Sequence, residues 1–135
     1  MNIIYKFNEQ QLQELHALYQ NEWWTKGRTF EDTKCCVEGS QINVGLIDTN
    51  ESLQAYARVL TDYTFKALIF DIIVSNDYRG NGLGERIISL IKNHKELHKV
   101  KHFELYCLPE MFQFYEKYGF ISEVGEIKLM RYTNA

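Results

Sequence analysis

The most constraining stretch of the chain is an apolar run that leads into a glycine loop and then a helix. Ala67-Leu68-Ile69-Phe70-Asp71-Ile72-Ile73-Val74 is almost wholly apolar, which predicts a central strand buried on both faces. The loop Tyr78-Arg79-Gly80-Asn81-Gly82-Leu83-Gly84 follows, and Ile87, Ile88 and Ile91 then share one side of a helix. Glycines let a backbone approach a ligand and take positive φ, and a helix start presents unpaired amides. With the helix dipole these make a seat for phosphate oxygens, to which Arg79 adds a fixed charge. The loop is not a Walker loop, because no Gly-Lys-Ser/Thr follows. It also misses the dinucleotide fingerprint, since its glycines fall as GxGxG after the fourth strand rather than the first.

The rest of the chain supplies a complete set of elements around that unit. Met1-Asn2-Ile3-Ile4-Tyr5-Lys6-Phe7 alternates like a strand. Asn8 and Gln11 form a capping box, and Leu12, Leu15, Leu18 and Tyr19 predict a helix from about residue 9 to 20. Residues 21–28 break the pattern, and 29–38 form a second short helix capped by Thr29. From Ile42 the period changes to two, giving strands over 42–47 and 52–59 joined by Asp48-Thr49-Asn50-Glu51. His102–Cys107 reads as a further strand, Pro109 suits a helix's first turn, and Gly119 suits its end. Met111, Phe112, Tyr115 and Tyr118 mark that helix's apolar face. Phe120–Ser122 and Ile127–Tyr132 read as two short closing strands. The expected architecture is α+β, in α/β/α layers: a mixed, mostly antiparallel sheet of six to seven strands flanked by about four helices.

Composition narrows the function classes. The 135 residues are one domain's worth, so residues 1–135 are expected to form a single unit. A net charge of −3 argues against a nucleic-acid binder. No apolar run approaches the roughly 18 residues of a membrane helix, and the N-terminus lacks a signal peptide's apolar block. A soluble, cytoplasmic protein is expected, with no membrane partner. Three cysteines, two of them adjacent (Cys35 and Cys36), form neither a disulfide framework nor a metal knuckle. His94 and His98 stand four apart on what reads as a polar, basic helix tail, without a third ligand, so no metal is expected.

About thirty residues after the glycine loop comes Phe114-Tyr115-Glu116-Lys117-Tyr118-Gly119-Phe120, an aromatic pair before Gly-Phe. With both segments in this order, the chain resembles the GNAT superfamily of N-acetyltransferases, as a small bacterial-type single-domain member. The family's acetyl-CoA signature, Arg/Gln-x-x-Gly-x-Gly/Ala, is matched by Arg79, Gly82 and Gly84. Tyr56–Asp62 looks like a subgroup of small bacterial members, and the element order fits from Asn2 to Tyr132.

The resemblance implies an enzyme that takes acetyl-CoA as co-substrate, with no metal. It would acetylate a primary amine of a small molecule or peptide by direct attack in a ternary complex. Ile72, Ile73 and Val74 would present backbone groups to the pantetheine arm, and Arg79, Gly80, Asn81, Gly82, Leu83 and Gly84 would hold the phosphates. Lys117, or the basic cluster from Lys92 to Lys101, would reach the 3′-phosphate. Tyr115 matches the general acid that protonates the leaving sulfur, although a core tyrosine is the plainer reading of its helix position. A backbone N–H at Val74 or its neighbour would meet the oxyanion.

Asp71 is the lone carboxylate of the apolar strand and a candidate base or amine ligand. Many family members carry an acidic pair here, and Phe70 replaces the first acid. An ion pair with Arg58, with water carrying the proton, is the competing reading, and strand alternation would aim Asp71 away from the cleft unless a bulge re-aims it. Trp23, Trp24, Arg28 and Arg58 are candidate acceptor contacts, the tryptophans by cation–π or as a roof and the arginines as a carboxylate clamp. Simple packing against the sheet explains the tryptophans equally well. Dimers are frequent in the family, so a homodimer is admitted. Two rival functions stay open: a non-catalytic acyl-CoA-binding module, and an aminoacyl-tRNA-acetylating toxin, which the net negative charge disfavours.

Overall fold

A computed structural model describes residues 1–134. Strand β1 (Asn2–Ile4) leads into helix α1 (Glu9–Gln20) and helix α2 (Phe30–Gly39). Strands β2 (Ile42–Ile47), β3 (Leu53–Thr61) and β4 (Lys66–Val74) follow, then helix α3 (Leu83–Lys92), strand β5 (His102–Leu105) and the short helix α4 (Phe112–Glu116). Among the described residues the five strands form one sheet in the order β1-β2-β3-β4-β5. The first three pairings are antiparallel and β4–β5 is parallel.

Local chemistry accounts for most of the boundaries. The Asn8 side chain accepts from the Gln11 N–H at 2.8 Å while the Gln11 side chain accepts from the Asn8 N–H at 3.0 Å. Thr29 and Asp32 build the same reciprocal cap on α2. Each box satisfies two amides that a helix start otherwise leaves open, contributing roughly 1 kcal/mol. In the turn between β2 and β3, the Asp48 carboxylate accepts from the Asn50 and Ser52 N–H groups. Pro109 opens a 3₁₀ turn (Pro109–Met111) that α4 continues, so the helix proper is shorter than the apolar spacing of residues 111–118 suggested.

Two apolar cores lie on opposite faces of the sheet. Leu83, Ile87 and Ile91 of α3 pack on Val44, Leu46, Val59 and Ile69, and the small Ala55, Ala57 and Ala67 let the helix approach closely. On the other face, Leu15 and Tyr19 of α1 pack against Ile47, Leu53, Tyr56 and Ile73. Ile69 and Ile73 are both odd-numbered residues of β4, yet they belong to opposite cores. A bulge explains it: Arg58 opposes Phe70 and Tyr56 opposes Ile73, leaving one extra residue on β4, and Asp71 has φ of 58° there. The inserted residue flips every later side chain to the other face.

Two expectations need correction. The sheet has five strands, not six to seven, because neither Phe120–Ser122 nor Ile127–Tyr132 finds a strand to pair with inside the chain. Alternation is a local property and carries no information about whether a partner edge is within reach. The basic tail around His94 and His98 is also not helical. Beyond α3 it forms a 3₁₀ turn (Lys95–Leu97) in which His94 accepts from the Glu96 N–H. No helix of the described residues is long and apolar enough to cross a membrane.

Candidate active site

The site begins where the sheet opens. The β4–β5 ladder ends at the Ile69–Leu105 pair, so β4 continues through Phe70–Val74 with no strand on that side. Hydrogen bonds alternate sides along an antiparallel strand. Because the Ser75 N–H donates to the Gln54 C=O of β3 at 2.8 Å, the Val74 amide faces the opened side. The Val74 C=O faces the same way and accepts from Arg79 Nε at 3.3 Å. Arg79 and the end of β4 are thereby joined.

The glycine loop meets that opening. Gly80 and Gly82 have φ of 83° and 77°, and a Cβ on either would stand in open space with nothing within 4 Å. Gly82 caps α3 without any side-chain hydrogen bond, so the first amides of the helix have no side-chain acceptor. This cradle fits an anionic, phosphate-bearing ligand. A Cβ on Gly84 would lie 3.8 Å from both Val74 Cγ2 and Phe114 Cζ, so strand end, helix start and α4 converge there. Lys117 Nζ sits 5.8 Å above the Phe114 ring and is exposed, which puts its charge on the same side.

Tyr115 lies on α4 next to this convergence, its ring edge-on to Phe114 and Phe120. Burial pushes its pKa up to about 12, and the neighbouring Cys107 adds to the effect. The phenol is therefore fully protonated at neutral pH. No buried side-chain polar atom of the described residues lacks a partner.

On the α1 face a second constellation forms around Asp71. Arg28 Nη1 donates to Asp71 Oδ2 at 2.7 Å and Arg28 Nη2 to Oδ1 at 3.3 Å. Arg58 Nε donates to Oδ2 at 2.7 Å, and the Tyr19 hydroxyl donates to the same oxygen at 3.0 Å. The Asp71 side chain is only 5% exposed. Burial alone would raise its pKa, but the hydrogen bonds and charges of Arg28 and Arg58 outweigh that and hold it below the ordinary carboxylate value. Burial raises the Tyr19 and Tyr56 pKa values, so both stay neutral. Phe70, where the first acid of a pair is missing, lies under the Arg58 guanidinium at 5.0 Å and edge-on to Tyr106 at 5.5 Å.

The bulge thus re-aims Asp71 onto the α1 face, and the ion pair with Arg58 exists. Both oxygens are occupied by guanidinium groups, which leaves a weakly basic carboxylate rather than a poised base. The two arginines that were candidates to clamp an acceptor's carboxylate already hold one from the protein. Trp23 is 78% exposed and Trp24 is partly so, which removes simple packing as the account of Trp23. Their neighbour Glu22 bonds Arg79 Nη2 at 2.5 Å and ties the α1–α2 connection to the glycine loop.

Tyr19, Tyr56 and Glu22 were missed as site residues. Tyr19 fits the apolar stripe of α1 so well that its hydroxyl carried no separate signal, and Tyr56 alternates like any strand residue. Glu22 sits in a stretch without periodicity.

Comparison with known proteins agrees with this geometry. A family model described as "Acetyltransferase (GNAT) domain" matches residues 38–122. An uncharacterized N-acetyltransferase, ycf52, of Pyropia yezoensis is 31% identical over 122 residues, covering 88% of this chain and 70% of the relative. Among solved structures, a GNAT-family protein of Xanthomonas campestris pv. campestris superposes with a TM-score of 0.80 at 22% identity, covering 98% of this chain and 94% of that one. Glucosamine-6-phosphate N-acetyltransferase of Arabidopsis thaliana gives 0.76 at 18% identity, covering 98% of each chain, a likeness of fold alone. The chain belongs to the GNAT acetyltransferase family and is by that membership an acyltransferase.

Proposed function

We propose that this GNAT-family chain is an acetyl-CoA-dependent N-acetyltransferase that acetylates a primary amine of a small molecule or peptide by direct attack in a ternary complex. The observation that carries the reading is the cradle at Gly80–Gly84: two positive-φ glycines, open space above them, and the uncapped start of α3. Acetyl-CoA supplies the thioester carbon that the amine attacks and the sulfur that leaves. The chain's part is to bind, orient and move protons. Arg79, Gly80, Asn81, Gly82, Leu83 and Gly84 hold phosphate oxygens, with Lys117 nearby as a further cation. Ile72, Ile73 and Val74 face the pantetheine arm, and the Val74 N–H donates to the carbonyl oxygen as negative charge grows on it. Tyr115, protonated up to about pH 12, gives its proton to the departing sulfur.

Asp71 acts in this reading as a positioning residue. It aims Arg28 and Arg58 while a solvent path takes the amine proton. Two guanidinium groups facing one carboxylate leave a surplus positive charge beside the cleft, which suits an acceptor bearing a carboxylate or phosphate. Trp23 and Trp24, on the connection tied to Arg79, roof that acceptor. The reaction is assigned to the cytoplasm, with no nucleic acid and no membrane as partner.

A second reading, a non-catalytic acyl-CoA-binding module, rests on Phe70 standing where an acid is missing and on the full engagement of Asp71. Calorimetric titration with acetyl-CoA, and with CoA lacking its 3′-phosphate, tests both. Binding that is abolished in Gly82→Glu, followed by thiol release with an amine panel, supports the enzyme. Binding without turnover across carboxylated, phosphorylated and uncharged amines supports the module, and no binding at high micromolar ligand overturns both.

A further inference from the structure

One apolar patch of the sheet belongs to neither core. Ala57 and Val59 of β3, Ala67 and Ile69 of β4, and Phe103 and Leu105 of β5 all face α3. Their alternates Leu60, Leu68 and Phe70 therefore lie on the α1 face, where Tyr106 meets Phe70 edge-on. Leu60 stands directly opposite Leu68. None of the four joins the core that α1 builds on this face, and all keep some contact with solvent, Tyr106 at 57%. Helix α1 packs on Ile47, Leu53, Tyr56 and Ile73 and leaves this floor bare.

The arginines of the Asp71 cluster border the floor at Phe70, over which the Arg58 guanidinium stacks. The Arg28 and Arg58 side chains keep 26% and 14% of their surface open against 5% for Asp71, so a ligand meets the guanidinium groups rather than the carboxylate. Asp71 engages Nη1 and Nη2 of Arg28 and Nε of Arg58, while Arg58 Nη1 reaches Ser40 Oγ. That leaves Arg28 Nε and Arg58 Nη2. No buried side-chain nitrogen of the described residues lacks a partner, so both open onto solvent. Two donors and one surplus charge match the two oxygens of a single carboxylate. At the far end of the floor Lys66 and Glu104 pair with each other at 2.8 Å, so no lone charge there calls for a charged group.

On the acetyltransferase reading above, we infer that the acceptor is a free α-amino acid with an apolar, aromatic side chain. Its carboxylate bridges Arg28 and Arg58, and its side chain lies on Leu60, Leu68, Phe70 and Tyr106. Val74 stands three residues beyond Asp71, about 10 Å along an extended strand. That span admits a carboxylate at the arginines, an amine on the adjacent carbon and a thioester carbonyl at the Val74 N–H. In the transfer the amine nitrogen bonds the thioester carbonyl carbon as the C–S bond breaks. The amine gives one proton to water, and the sulfur leaves with the proton of Tyr115, which solvent then replaces.

Thiol release by the full chain with acetyl-CoA tests this on a panel of amino acids, their decarboxylated and amidated forms, an amino-sugar phosphate, a polyamine and a short peptide. L-phenylalanine is the expected acceptor, with kcat/KM about 10- to 100-fold above phenethylamine and phenylalaninamide, which lack the carboxylate. It should exceed L-alanine roughly 10-fold, since alanine leaves the floor uncovered. Arg28→Gln should cut the phenylalanine-to-phenethylamine ratio about 10-fold. Leu68→Asp should cut the phenylalanine-to-alanine ratio by about as much. Circular dichroism reports whether each variant folds, and where one does not, the other variant and the parent's own ratios decide. Equal rates with and without the carboxylate, or a better rate with the amino-sugar phosphate, the polyamine or the peptide, overturn the amino-acid assignment and leave the acetyltransferase standing. Acetyl-CoA that binds without turnover of any amine in the panel overturns both.

Discussion

The two halves of the cleft are built by different means. The cradle at Val74–Glu85 is one continuous segment whose shape follows from its own residues: glycines at positive φ and a helix start behind them. The Asp71 cluster is assembled from four separate places, with Tyr19 from α1, Arg28 from the following connection, Arg58 from β3 and Asp71 from the bulge of β4. A contiguous segment keeps its geometry through local backbone preference. A cluster drawn from distant segments keeps its geometry only as a set, because each charge is tolerated in the interior by the others. The two halves are bridged by Glu22, which joins the Arg28-bearing connection to Arg79.

That difference can be broken first at Asp71. Asp71→Asn leaves two guanidinium groups facing a neutral side chain, and urea unfolding should show a loss of about 3 kcal/mol. The sign of the pH dependence follows from the depressed pKa. The carboxylate's stabilisation is fully present above its unfolded value near 3.9 and disappears as pH falls through the lower folded value. Melting temperature of the parent should therefore drop below about pH 4, and the Asn variant should show a shallower drop there. Equal acid sensitivity in the two would mean that the cluster is not what holds this half together.

Tyr115→Phe should act on chemistry alone. A loss of roughly 10²-fold in kcat is expected, with acetyl-CoA affinity from calorimetry unchanged, as for removal of a positioned general acid. Because the phenol stays protonated up to about pH 12, the parent's kcat should show no descending limb from this group between neutrality and pH 10. An equal loss of binding would place Tyr115 in the packing of α4 instead. Glu22→Gln should do least. The Arg79 partner is more than half exposed, so thermal melts should shift by less than about 1 kcal/mol. A larger effect would make the two halves one cooperative unit.

Legibility followed the same divide. The Asn8–Gln11 capping box, the Thr29 cap, the strands over 42–47 and 67–74, the glycine loop and α3 could be read from residue spacing, since each is decided by neighbours within about four positions, whereas the Asp32 half of the second box was not read. The pairing of Arg58 with Asp71 was visible as one option among several. Arg28 and Tyr19 joining the same carboxylate was not, because nothing in the spacing of residues 19, 28, 58 and 71 brings them together. The closing strands were misread for the converse reason: Ile127–Tyr132 alternates like a strand, yet among the described residues it pairs with neither edge of the sheet.

The amino-acid sequence alone determined the order of elements as far as α4 and the glycine loop into α3, which rest on local backbone preference and apolar periodicity, while the family followed from the resemblance carried by Arg79–Gly84 and Phe114–Phe120. Only the tertiary structure decided where Asp71 points. One extra residue between the Phe70 and Ile73 pairings turns the strand's single carboxylate away from the α3 core and onto two arginines and a tyrosine. An ionised group on the apolar α3 face would have been left without a partner, whereas on the α1 face its desolvation is offset by two guanidinium groups.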